Sequence, residues 1–587
     1  MLHTKMTEIL GIKYPIQCGT MQAISTAELV APVANAGGFC CLPAAFYQTK
    51  EAFLDEVKKT QDMTDQPFGV NVGLFPSMNE SVGPDERIEW VIESGVKILE
   101  MGGNAADAAV AAGFAIAVVE PTMNSIGGRN QILLRTAEGE FHGIDGTTQA
   151  PFDYDYETAP QAGYGYAVIA VPGALAGLLK LHDEHGSLPL ASLMAAAIDY
   201  AENGFRVLPA DAARQMFGME QAMEFPGTAK AYYRGNGTPH QAGDLLRQPD
   251  YANTLRKIAE GGRELFYEGE MAETMAADLA AHGSAVTLEA FREYVAEDSR
   301  IVRGSYRGYD LIGTDIPAAG VLSIQALQIM ENFDPSSMSE AEWFAITGQA
   351  LSFASRELRT LGPDSATTRA ISKEWATRMA EEIAAPAMGD RPDSEATPMG
   401  ESPLPPLADR GDNFGGHTTH LATADENGMF VSLTQTLGPN MGSKVVTPGL
   451  GFLYASTLGG YLGRMEAGDR ARSNINPFMV MKDGEVVLAL GAAGGGLIPP
   501  AVVHAITRVI DFGMSLPDAL AEPRVAGARG GGFNAETSPD IGWTDAELEQ
   551  DAAARASEPG HVVQPAAVRL HRCMYSVFIG GGGKLHG

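Results

Sequence analysis

Apolar residues recur at helical spacing over 87–99, at Ile88, Val91, Ile92, Val96 and Leu99, and the run stops at Met101-Gly102-Gly103. Asn104 then stands in a capping position ahead of Ala105-Ala106-Asp107-Ala108-Ala109-Val110-Ala111-Ala112. These small side chains predict a helix that lies close against a sheet or another helix. Ile126-Gly127-Gly128 leads into a strand pattern at Gln131-Ile132-Leu133-Leu134, and Val168 to Gly173 precedes helical patterns from Ala174 to His182 and from Leu190 to Ala201. Helical and loop material then extends to about Ser299. Strand patterns return over Thr419 to Ala424, Met429 to Thr434, Phe478 to Met481 and Val486 to Leu490. The turn sequences Glu426-Asn427-Gly428 and Lys482-Asp483-Gly484 predict two hairpins. Residues 379–417, which include Pro403, Pro405 and Pro406, have few apolar anchors and read as a flexible linker.

Residues 1–80 have a different texture. A strand at Tyr14-Pro15-Ile16-Gln17, a helix from Thr26 to Ala36, a strand at Phe39 to Leu42, a helix over about 50–61 and a strand at Phe68 to Val72 predict a parallel α/β segment. In Thr7-Glu8-Ile9-Leu10-Gly11-Ile12-Lys13-Tyr14-Pro15-Ile16-Gln17 and Gln66-Pro67-Phe68-Gly69-Val70-Asn71 it resembles the start of the flavin-dependent nitronate monooxygenase barrels. The resemblance covers only the first barrel units. No later strands follow to close a barrel or carry its phosphate loops, so the segment reads as a vestigial fusion or gene-assembly artefact without flavin chemistry of its own.

Composition narrows the partners. The chain has 587 residues, enough for two or more domains, and a formal charge of -32, which argues against nucleic acid and anionic membrane surfaces. No signal-peptide run or uninterrupted apolar span is visible, and Cys18, Cys40, Cys41 and Cys573 have neither metal-ligand nor disulfide spacing. A cytoplasmic protein is the expectation.

The chemistry concentrates in Gly416-His417-Thr418-Thr419-His420, between the linker and a strand. Cleavage between His417 and Thr418 would give Thr418 a free α-amine beside its own hydroxyl. Hydroxyl nucleophiles need a base, and an α-amine of pKa about 8 suits that role. Thr436, on the strand after the hairpin, is placed to return toward Thr418 and fix its rotamer. Gly491-Ala492-Ala493-Gly494-Gly495-Gly496 follows a strand, and Gly494 and Gly495 are the expected oxyanion donors. His417 and His420 read as local hydrogen-bonding or surface residues rather than general bases. His-Glu-x-x-His, Gly-x-Ser-x-Gly and phosphate-loop motifs are absent.

From about residue 85 to 587 the chain resembles the γ-glutamyltransferase family of N-terminal nucleophile hydrolases. The landmarks are Gly102 to Ala109, Val119-Glu120-Pro121, Ile126-Gly127-Gly128, Val171-Pro172-Gly173, Thr418-Thr419-His420, Ser432 to Leu437 and Glu522-Pro523-Arg524. The resemblance implies an α/β fold, a four-layer αββα sandwich. It also implies self-cleavage before Thr418, with residues 85–417 as large and 418–587 as small subunit of a heterodimer of its own fragments. By the same resemblance Thr418 is the nucleophile, Thr436 its support and Gly494 and Gly495 the oxyanion pair, and no metal or organic cofactor is required.

The substrate half departs from the family. Thr147 stands where a carboxylate-binding arginine is expected, Gly460 where an aspartate would hold the substrate ammonium, and Gly438 where an asparagine is expected. The paired serines become Ser473 and Asn474, and the first glycine-rich loop continues as Arg129-Asn130. Losing both ionic partners removes roughly 4–8 kcal/mol of buried charged contact. The expected substrate is therefore an amide with a smaller or differently charged acyl group, with water or an amine as acceptor and Arg129, Asn474 or Arg464 as replacement anchors. A true γ-glutamyl hydrolase or transferase acting on glutathione-like donors is the alternative. An inactive, uncleaved homologue with a structural role is another.

Overall fold

The computed structural model describes residues 101–360, 371–384 and 418–522, short segments at 524–527 and 533–535, and parts of 17–71. The helix expected over 87–99, most of the linker and His417 lie outside the described residues. The chain divides into two units, Met1–Ser81 and Val82–Gly587. In the first, strands Gln17–Cys18, Phe39–Pro43 and Gly69–Asn71 pair in parallel, with the helix Ala27–Asn35 between the first two, as the α/β pattern predicts.

In the second unit the strands of the two large sheets, in chain order, are β1 (Arg129–Arg135), β2 (Phe141–Gly146), β3 (Glu297–Asp298), β4 (Ile301–Tyr306), β5 (Tyr309–Thr314), β6 (Thr418–Ala424), β7 (Phe430–Thr436), β8 (Phe478–Lys482) and β9 (Glu485–Leu490). The helices used below are α1 (Ala105–Val119), α2 (Ala174–His185), α3 (Leu190–Asn203), α4 (Gly320–Met330), α5 (Glu340–Thr360), α6 (Lys373–Ala384) and α7 (Ile498–Asp511). One antiparallel sheet runs β6-β7-β1-β2-β3 and another β9-β8-β5-β4.

Period-two alternation sorts these strands into layers. Leu133, Ala422, Ala424 and Phe430 of the first sheet pack on Ile312, Met479, Met481 and Ala489 of the second. Their chain neighbours point outward: Ile132, Leu134, Leu421 and Leu433 meet α1, α2 and α3, while Phe478, Val480 and Leu490 meet α4 to α7. Helix, sheet, sheet, helix is the αββα sandwich, held by two helix-facing cores and one between the sheets.

The helix α1 carries the first sheet's most intimate contact. All its residues are buried, and only small side chains allow that approach. Its cap is reciprocal: Asn104 Oδ1 accepts from the Asp107 N–H, and the Asn104 N–H donates to Asp107. Fifteen residues of helix span about 22 Å, close to the roughly 23 Å of a seven-residue strand. Accordingly Ala105, at the helix start, bonds Thr423 and Asp425 at the end of β6, whereas Glu120, just past the helix, accepts from Thr419 at the strand's beginning. Asn104→Ala is expected to cost about 1 kcal/mol of stability, measurable as a lower thermal midpoint.

Four of these strands, β2 to β5, were not legible as strands. In β2, Phe141-His142-Gly143-Ile144-Asp145-Gly146 interleaves glycines and polar residues, and neighbours on both sides impose its conformation. The two-residue β3 lies at the end of the stretch expected to be helix and loop, and β4 and β5 form just past it, from residues for which no element was expected. The helix α6 runs to Ala384, so 379–384 correct the start expected for the linker. Trp375, Ala376, Ala380 and Ile383 give it a buried stripe. Among the described residues no helix is long and apolar enough to cross a membrane.

Candidate active site

The hairpin between β6 and β7 places Thr418 directly opposite Thr436, and β1 places Arg129 opposite Thr436. The three therefore share one face, the face toward the second sheet. The next row behind them is also polar, running His420, Thr434, Gln131 and Asp145. Only the row after that, Ala422, Ser432, Leu133 and Gly143, begins the apolar interior. Polarity is thus confined to the end of the inter-sheet layer where β6 begins.

Thr418 Oγ1 donates to Thr436 Oγ1 at 3.0 Å, and Thr436 Oγ1 also accepts the Gly438 N–H at 2.9 Å. Both threonines are buried. One residue on, Thr419 faces the helix layer and donates to Glu120, so a buried carboxylate pins the strand end from behind. Glu120 belongs to a sequence landmark, but its partner, 299 residues away in the chain, was not readable there.

His420 is not a surface residue. It is buried, its Nδ1 lies 2.9 Å from Thr434 Oγ1, and burial lowers its pKa to about 3. The imidazole is therefore neutral and structural. It presses on the second sheet: a Cβ at Gly491 would lie 2.3 Å from His420 Nδ1. Gly491→Ala is expected to displace the loop that follows it and cost on the order of 1–3 kcal/mol of stability, read as a lowered thermal midpoint.

The depressed pKa also predicts an acid sensitivity. The unfolded chain binds the His420 proton near pH 6.5, the native chain not until about 3, so the native state binds fewer protons in between. Stability on this account is full above pH 6.5 and is lost as pH falls toward 3. Thermal midpoints should decline over that window, and His420→Gln should flatten the decline by up to about 1.4 kcal/mol per pH unit. An unchanged slope would show that the ring is not buried neutral.

The glycine run leaves β9 beside this histidine. Gly494 and Gly495 adopt positive φ of 126° and 57°, and the chain then enters a short 3-10 turn and α7. Both are half-buried, and neither amide N–H has an acceptor among the described residues. Free amides at a helix N-terminus attract developing negative charge.

The substrate candidates scatter. Thr147 is fully buried and its hydroxyl donates to Asp145 at 2.5 Å, so it is committed to the fold; its neighbour Thr148 instead meets Thr457 at 2.8 Å. Asp145 carries Arg470 beside it, with burial nonetheless raising its pKa. Ser473 Oγ accepts the Ile475 N–H, while Asn474 is half-buried with a side chain that bonds nothing among the described residues. Gly460 has φ of 86° and no side chain to offer. Arg464 is an exposed surface cation paired with Glu157 and Glu466, which corrects its assignment as an anchor. Arg129 alone among the candidate cations is buried beside Thr436 and Gly438.

Comparison with known proteins agrees with this architecture. The family model Gamma-glutamyltranspeptidase matches residues 92–570, and the model Nitronate monooxygenase matches residues 3–100. The chain is 32% identical over 531 residues to the Acylase ACY 1 proenzyme of Pseudomonas sp. (strain V22), covering 83% of this chain and 86% of that protein. It is 27% identical over 559 residues to the Glutathione hydrolase proenzyme of Escherichia coli (strain K12), covering 89% and 92%. Among solved structures, cephalosporin acylase from Bacillus halodurans matches with a TM-score of 0.70 at 27% identity, covering 84% of this chain and 92% of that one.

Proposed function

The chain belongs to the γ-glutamyltranspeptidase family of N-terminal nucleophile hydrolases, and from that membership we propose a self-processing amide hydrolase and acyltransferase whose nucleophile is Thr418. The observation that carries the proposal is the 3.0 Å contact from Thr418 Oγ1 to Thr436 Oγ1 at the polar end of the inter-sheet layer, where β6 begins. A donated proton holds the Thr418 rotamer while leaving lone pairs on its oxygen for attack.

Maturation uses the same oxygen. Thr418 Oγ1 adds to the His417 carbonyl carbon, its hydroxyl proton passes to the Thr418 nitrogen, the His417–Thr418 C–N bond breaks, and the acyl group is left on oxygen as an ester. Water then releases the His417 carboxylate and leaves Thr418 with a free α-amine. In turnover that amine takes the hydroxyl proton as Oγ1 attacks the substrate amide. Gly494 and Gly495 amides receive the tetrahedral oxyanion. The amine returns the proton to the leaving nitrogen, and water or an acceptor amine resolves the ester on Thr418.

The acylase and glutathione hydrolase relatives support two substrate readings. Thr147 committed to Asp145 and a bare Gly460 favour an amide without the paired carboxylate and ammonium of a γ-glutamyl group. The test is N-terminal sequencing and intact mass of the purified protein, with anilide assays. A fragment spanning 418–587 that begins at Thr418, and turnover of simple acyl anilides above γ-glutamyl anilide, are expected. A persistent full-length chain that still hydrolyses amides overturns the mechanism, and dominant γ-glutamyl turnover overturns the substrate reading.

A further inference from the structure

Ser432 is a hydroxyl in an otherwise apolar row. It is fully buried, and its neighbours across the sheet on the same face are Ala422 and Leu133. A buried hydroxyl is costly without a partner, so its bonds show what the position requires. Its Oγ donates to the Leu490 carbonyl at 3.3 Å and accepts the Phe478 N–H at 3.2 Å. Those two residues stand opposite each other in the second sheet, Phe478 at the start of β8 and Leu490 at the end of β9. One side chain from the nucleophile's sheet thus holds the terminal pair of the other sheet.

The place of this bridge matters for chemistry. Leu490 is the last residue before the glycine run that carries the Gly494 and Gly495 amides, and Ser432 lies on the same face of β7 as Thr436. Facing sheets ordinarily stand about 10 Å apart, so a side chain as short as serine crosses the layer only where they close on each other. His420 marks the same closure, because its ring fills the space that a Cβ at Gly491 would need. The bond from its Nδ1 to Thr434 Oγ1 keeps that ring from swinging away. Packing of Leu133 and Phe430 on Ile312 and Met479 draws the sheets together but has no preferred direction. A hydrogen bond does, since it weakens steeply away from its geometry. Ser432 therefore ties the end of β9 to β7, and His420 limits how closely it approaches.

We infer that Ser432 is a positioning residue for acyl transfer: by tying the end of β9 to β7 it sets the distance between the Thr418 hydroxyl and the amides that receive the oxyanion. Nucleophile and oxyanion donors stand on different sheets, so no ladder within either sheet fixes their separation. The carbon under attack must lie within reach of Thr418 Oγ1 while its oxygen meets the Gly494 and Gly495 amides. A loop shift of about 1 Å spoils the second contact without disturbing the first, a loss on the order of 10²-fold at most. The ground-state carbonyl uses those amides less than the oxyanion does, so the loss falls on kcat rather than on KM. The inference rests on the reading of Thr418 as nucleophile with Gly494 and Gly495 as its oxyanion donors.

The experiment compares wild type, Ser432→Ala, Ser432→Cys and Val431→Ala on butyryl p-nitroanilide and γ-glutamyl p-nitroanilide. In each case kcat is referred to the amount of fragment beginning at Thr418, so only matured protein is counted. Val431, next to Ser432 on β7, is fully buried in the helix-facing core, and its truncation loosens the fold without touching the bridge. Ser432→Ala should lower kcat by about 10- to 100-fold on whichever anilide the wild type turns over, with KM within about threefold. Ser432→Cys, whose thiol is a weak donor and acceptor, should fall between. Val431→Ala should lower the thermal midpoint yet leave kcat within about twofold of wild type. If Ser432→Ala does not mature, Ser432→Cys decides by the same measures. The inference is overturned by a wild-type kcat in the matured serine variant, by a loss that appears in KM instead, or by an equal fall of kcat in Val431→Ala. Matured wild type that cleaves neither anilide overturns the nucleophile reading, a separate failure.

Discussion

Thr418→Ala leaves one uncut chain and no amide turnover. The residue supplies the oxygen for both maturation and catalysis, and no other hydroxyl shares its place opposite Thr436 at the start of β6. Loss of the nucleophile should lower kcat by on the order of 10⁴-fold or more, because what survives is binding and oxyanion stabilisation acting on water alone. Thr418→Ser keeps an oxygen and an α-amine, so it should mature and turn over, more slowly for want of the methyl group that restricts χ1. Denaturing electrophoresis over several days and a stopped anilide assay separate these variants. A 418–587 fragment from the alanine variant would sink the assignment.

Thr436→Val should produce the second largest effect. Valine has nearly the shape of threonine, so the buried row keeps its packing while two hydrogen bonds vanish. Thr418 Oγ1 loses the acceptor that fixes it, and the Gly438 N–H loses its acceptor as well. An unmade buried bond costs about 1–3 kcal/mol, and a nucleophile free to rotate loses alignment with the carbonyl it must attack. A fall of about 10²–10³ in kcat is expected, with KM changed far less and maturation slowed in parallel. Thr436→Ser should recover most of both rates. Equal rates for wild type and valine variant would show that the contact is incidental.

The capping asparagine, the alternating strands and the two hairpin turns were readable because each depends on spacing within a few residues. Local spacing also put Thr436 on the strand that returns to Thr418, since a hairpin's register follows from its turn. The motif order carried the family and with it the sandwich. Strand β2 was hidden because its glycines and polar residues carry no local strand preference, and its partners β1 and β3 supply the conformation instead.

Side-chain commitments were hidden for a different reason. Thr147 looked available until Asp145, two residues earlier, was seen to hold its hydroxyl, and Arg464 looked available until the carboxylates of Glu157 and Glu466 appeared around it. Sequence can say which residue type stands at a position; whether its polar atoms are already used depends on groups brought together by folding. From order and spacing alone come the layers, the strand pair and the threonine at its end. The coupling of Arg129 to Gly438, the neutral burial of His420 against Gly491, and the carboxylate of Glu120 behind Thr419 arise only in three dimensions, because each joins segments separated by tens to hundreds of residues whose contact no local periodicity encodes.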